Sequence, residues 1–60
     1  MNIEELKAHR SHMQNSVRLL IGRLNKYDRY TKARAEQTIL NLRKQIASVD
    51  DQLIMRGETP

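Results

Sequence analysis

An apolar seam runs through the first half of the chain and then slips by one residue. Positions 3, 6, 10, 13, 17, 20, 24 and 27 carry Ile3, Leu6, Arg10, Met13, Val17, Leu20, Leu24 and Tyr27, alternating steps of three and four with one polar intruder. Continued, the same count meets only Thr31, Arg34, Thr38, Asn41, Gln45, Ser48 and Gln52. Shifted by one, apolar spacing returns as Ala35, Ile39, Leu42, Ile46, Val49 and Leu53. Steps of three and four are the signature of a helix with one buried stripe. A slip in phase between two such stripes predicts two amphipathic helices with a break between them.

Pairing the stripes antiparallel sets Leu6 beside Leu53, Met13 beside Ile46, Val17 beside Leu42, Leu20 beside Ile39 and Leu24 beside Ala35. All these pairs centre between residues 29 and 30, so the two arms are equal and the chain folds back there. The expected domain is a helical hairpin over 1–57. Helix 1 spans about 2–27, the turn about 28–31 and helix 2 about 31–56, with 58–60 as a short tail. Asn2 with Glu5 is suited to start the first helix, Asp28 or Thr31 to cap the second, and Gly57 to close it. Each arm of about 25 residues would be about 37 Å long. The rival is one continuous helix with a one-residue skip near position 28; neither proline nor glycine at that point decides between them.

A second stripe, Ala33, Leu40, Ala47 and Ile54, recurs every seven residues on helix 2 and lies off the seam. One helical partner cannot cover both. Leu19 and Ile21 are likewise spare on helix 1. The fold class expected is all-α, a two-helix antiparallel hairpin that dimerises into a four-helix bundle. Its core and dimer contact would be Leu6, Met13, Val17, Leu20, Leu24, Ala33, Ile39, Leu40, Leu42, Ile46, Ala47, Val49, Leu53 and Ile54. Size agrees: a 60-residue domain is marginal alone, and without cysteine it has no disulfide to staple it.

Arg10 is the one charge within the first seam. It either fixes register and partner choice, as polar seam residues do, or snorkels outward with its head at Asp50 or in solvent. His9 and His12, three apart with Glu5 four before His9, have neither the spacing of a helical zinc motif nor a further ligand, and read as solvated rim residues.

Charge is placed unevenly. The net value is +4, but Arg18, Arg23, Lys26, Arg29, Lys32 and Arg34 face only Asp28 between positions 18 and 34, a local balance of +5. With Tyr27 and Tyr30 these cations form the one constellation of functional character, gathered in a hairpin at its turn end. Cations neutralise phosphates or acidic side chains, and tyrosines stack on bases. The bland alternative is a charged surface that keeps a small protein dispersed.

Enzyme chemistry has no inventory here: no cysteine, no glycine-rich loop, and no serine placed with a histidine and an acid. No catalytic residue, cofactor, metal or small-molecule substrate is expected. The longest apolar run, Leu19-Leu20-Ile21, is far short of a membrane span, and the acidic start Met1-Asn2-Ile3-Glu4-Glu5 has no secretory character, so a cytoplasmic protein is expected.

The run Arg23-Leu24-Asn25-Lys26-Tyr27-Asp28, together with the length and the two heptad-patterned arms, resembles the plasmid-encoded Rop family. That resemblance implies an antiparallel dimer of hairpins and, by analogy, binding of paired RNA loops on the first-helix faces. The chain departs from that family in its basic turn end and in its lack of cysteines and of the family's aromatic pattern. Size and composition also suit the small accessory proteins of phages and plasmids. The leading expectation is a homodimeric regulatory or adaptor protein that binds a host protein with an acidic surface. The alternatives are an RNA- or DNA-binding dimer using the same turn end, and a structural coiled-coil subunit of a larger assembly.

Overall fold

The computed structural model describes residues 2–58. Helix α1 runs Ile3–Arg23, a single 3-10 turn follows at Leu24–Lys26, and helix α2 runs Arg29–Met55. No strand occurs among the described residues. The two helices pack against each other as a hairpin 42 Å long and 16 by 14 Å across. The fold-back is therefore real, and the continuous rod is excluded.

Local chemistry sets each boundary. Asn2 is extended, and its Oδ1 accepts the Glu5 backbone N–H at 2.8 Å, while Glu4 and Glu5 sit at the positive end of the helix dipole. At the other end α1 has no side-chain cap. It tightens into the 3-10 turn instead, and the Tyr27 N–H donates to the Leu24 carbonyl at 3.3 Å. Only Tyr27 and Asp28, both extended, lie outside helical structure at the reversal. The Asp28 carboxylate then accepts the Thr31 N–H at 2.7 Å and starts α2.

These bounds correct the expectation from sequence. Helix 1 ends at Arg23 rather than near 27, and the turn is two residues instead of 28–31. Helix 2 begins at Arg29 rather than 31. The cause is the choice of cap. Both Asp28 and Thr31 are able to cap, and with Asp28 in that role Thr31 becomes the donor that the cap satisfies, which draws Arg29 and Tyr30 into the first turn of α2.

The far end closes as anticipated at Gly57. Its φ of 83° lies in the left-handed region, its N–H donates to the Ile54 carbonyl at 2.9 Å, and the Glu58 N–H reaches the Leu53 carbonyl at 2.9 Å. These two bonds form a Schellman motif. Glu58 also pairs with Lys7 of α1 at 3.4 Å. Of the expected tail, Thr59 and Pro60 lie outside the described residues.

The continuous core sits in the half remote from the turn, where Leu6, Met13, Val49 and Leu53 are buried together and Ile3, Leu42 and Ile46 pack against them. Val17, Ala35 and Ile39 are buried nearer the turn. Leu20 and Leu24 are half-buried. Leu24 stands in the 3-10 turn just past the end of α1. Ala33, Leu40, Ala47 and Ile54 are exposed on the single hairpin, as a stripe that one partner helix leaves uncovered.

Candidate binding surface

Arg18 and Arg23 stand in the last two turns of α1, Lys26 in the 3-10 turn, and Arg29, Lys32 and Arg34 in the first two turns of α2. The reversal brings all six to one end of the molecule, and every one is exposed. They do not form a single flat patch. At 100° per residue, Arg18 and Arg23 point about 140° apart around α1, and Lys32 and Arg34 about 160° apart around α2. The arrangement is a cationic collar around the tip. Arg29 and Lys32, about 60° apart, share one side of it.

The two tyrosines separate. Tyr27 is half-buried in the reversal, whereas Tyr30 is 71 % exposed and carries the Arg34 guanidinium 5.9 Å from its ring centroid. This distance is within the range of a cation–π contact. Arg34 and Tyr30 thus make one flat, exposed surface, while Tyr27 is half-buried in the turn.

Few acids stand near the collar. The two are Asp28, whose carboxylate is occupied with the α2 cap, and Glu36, one turn after Lys32 on α2. The Thr31 side chain first, and the Thr31 backbone N–H second, hold the Asp28 pKa below the ordinary value. Among the described residues, none of the six collar cations is in an ion pair. The ion pairs Lys7–Glu58 and Arg10–Asp50 lie in the other half of the molecule.

Arg10 takes the second of its two readings. Its Nη1 donates to Asp50 Oδ1 at 3.1 Å across the helices, so the stem lies in the seam and the head turns to the rim. Its Nε is buried without a partner. His9 and His12 are exposed on α1, and among the described residues no three of His, Asp and Glu converge as a metal site would need.

Beside the seam lies one feature that the sequence reading missed in part. Ile21 and Leu24 on one arm, with Glu36, Ile39, Leu40 and Arg43 on the other, line an open groove of about 310 Å³. Ile21 and Leu40 were recognisable as surplus apolar residues. Glu36 and Arg43 were not singled out, although both stand within four residues of Leu40 and seven apart. Leu19 does not join them. It is 58 % exposed, and two residues from Ile21 it points about 160° away on the helix.

No protein-family model matches the chain, and neither a curated protein nor a solved structure does. The likeness to the Rop family therefore rests on the pattern of two short helices and on Arg23–Asp28 alone.

Proposed function

We propose that the protein is a cytoplasmic, non-enzymatic binding protein: a helical hairpin that pairs with a second copy into a four-helix bundle and docks its cationic tip on an acidic surface of another protein. The observation that carries this reading is the collar itself. Six exposed cations lie within a few turns of one reversal, none of them in an ion pair among the described residues, and Asp28 between them is engaged as a cap. Charge so placed raises the local concentration of an anionic partner and speeds encounter. The groove is shallow and open, which suits contact between surfaces better than enclosure of a small substrate.

One observation favours a second reading, a single-stranded RNA or DNA ligand. The exposed Tyr30 ring with Arg34 beside it is a platform on which a base could stack.

The test is recovery of partners by the intact chain from native cells, with and without nuclease, beside an Arg29→Ala/Lys32→Ala variant. One protein retained after nuclease and lost with the variant supports the first reading. Loss on nuclease treatment supports the second. In that case log Kd should vary steeply with log salt, and the variant should lower the slope by about 2. Binding that ignores the two substitutions refutes both readings of the collar.

A further inference from the structure

The face of the hairpin that carries the groove bears one apolar residue every seven along α2, with charged residues between them that have a centre of symmetry. On α2, Ala33, Leu40, Ala47 and Ile54 recur every seven residues, and Leu40 and Ile54 remain 52 % and 55 % exposed. Leu40 is the midpoint of the first three. Glu36 lies one turn before it, and Arg43 and Lys44 one turn after. Glu36, Leu40 and Arg43 all line the groove.

We propose that this face is where the second copy of the chain packs, with the two α2 helices antiparallel about a twofold axis at Leu40. The proposal rests on the four-helix reading above and adds its interface, direction and register. A twofold axis there sets Leu40 against its own copy and Ala33 against Ala47 of the partner subunit, and leaves Ile54 beyond the helix–helix overlap. It also sets Glu36 against Lys44 of the partner subunit, with Arg43 of the partner subunit next to it. Symmetry repeats each of these contacts. Opposite charges therefore meet on both sides of an apolar centre, and the two alanine positions let the backbones come close. A parallel arrangement in the same register would place Glu36 against Glu36 and Arg43 against Arg43, which is repulsive.

Area leaves room for such a contact. The chain exposes 4691 Å², against about 4,100 Å² for a compact monomer of its mass. The excess of about 600 Å², part of it due to the elongated shape, is below the ~800 Å² that each partner contributes to a standard interface. The consequence for function is geometric. The two reversals point in opposite directions, so the dimer bears one cationic collar at each pole, about one hairpin length apart, and engages two anionic surfaces instead of one.

The absence of native cysteine makes the register directly measurable. Under mild oxidation, Leu40→Cys should link to its own copy efficiently. Ala47→Cys alone should not, whereas a mixture of Ala33→Cys and Ala47→Cys chains should link to each other. Glu36→Arg should weaken association about tenfold, and adding Arg43→Glu and Lys44→Glu should restore it. A dimer in sedimentation whose Ala47→Cys chains link among themselves as fast as Leu40→Cys chains overturns this interface and leaves self-association standing. So does a dimer in which Leu40→Cys stays unlinked. A wild-type chain that sediments as a monomer from micromolar to millimolar concentration overturns the interface and the four-helix reading together.

Discussion

Leu53 and Leu6 close the open end of the hairpin, with 0 % and 1 % of their surface exposed. Trimming either to alanine removes a buried isopropyl group and leaves a cavity, at a cost of about 2–5 kcal/mol. The whole stability of a chain this long is about 3–9 kcal/mol. Leu53→Ala should therefore lower the urea midpoint of unfolding drastically, read by circular dichroism at fixed protein concentration. Arg10 presents the opposite problem. Its Nη1 has Asp50, but its Nε is buried without a partner, so desolvation offsets part of what the pair contributes. Asp50→Ala alone should cost about 1–3 kcal/mol, because it leaves a half-buried charge unpaired. Arg10→Met with Asp50→Ala should recover most of that loss, and a double-mutant cycle in urea measures the difference. Legibility at this scale was uneven. The seam identified Leu6, Met13, Val17, Ile39, Val49 and Leu53 as core because spacing alone places them on one stripe. Spacing did not reveal that α1 stops at Arg23, one residue before Leu24.

The two glycines separate the demands made on an element's interior from those made on its end. Gly22 lies inside α1, and a Cβ there would meet nothing within 4 Å. Gly22→Ala should raise stability by about 0.5–1 kcal/mol through the lower backbone entropy of the unfolded chain. Gly57, at φ 83°, also has open space around it, yet an alanine is strained there whatever the space. Gly57→Ala should lower stability by about 1 kcal/mol. Thermal unfolding of the two variants should move in opposite directions. The start of α2 supplies a pH dependence. Asp28 titrates below the ordinary carboxylate value of 3.8 when folded, so its contribution is complete above that value and disappears as pH falls through the lowered folded pKa. Asp28→Asn should keep the cap and flatten this part of the stability curve, whereas Asp28→Ala should lower the melting temperature at neutral pH as well. The sequence offered Asp28 and Thr31 as equal caps, because propensity does not distinguish them. The tight reversal does, by placing the Thr31 N–H on the Asp28 carboxylate.

At the scale of the whole molecule the hairpin has one face more than it is able to bury. Leu40, Ile54 and Ile21 stay exposed while α1 and α2 cover each other's seams. If a second hairpin covers that face, the melting temperature should rise with protein concentration, since only the folded state associates. A melting temperature constant over a hundredfold dilution would contradict dimerisation. The cationic collar belongs to this scale too. Its six members span positions 18 to 34 in the chain and share one tip only because the arms run antiparallel.

The sequence by itself determined the two helices, the phase slip between them, the closing glycine and the cations clustered near the break, because each follows from spacing or from the backbone preference of a single residue. Only the tertiary structure decided where the first helix stops, which acceptor caps the second, that Arg10 reaches Asp50, and that Ile21 and Leu40 open onto one groove while Leu19 points elsewhere. These depend on which atoms meet across the two arms. Helical periodicity records the direction of a side chain around its own axis, and it carries nothing about the neighbour that stands there.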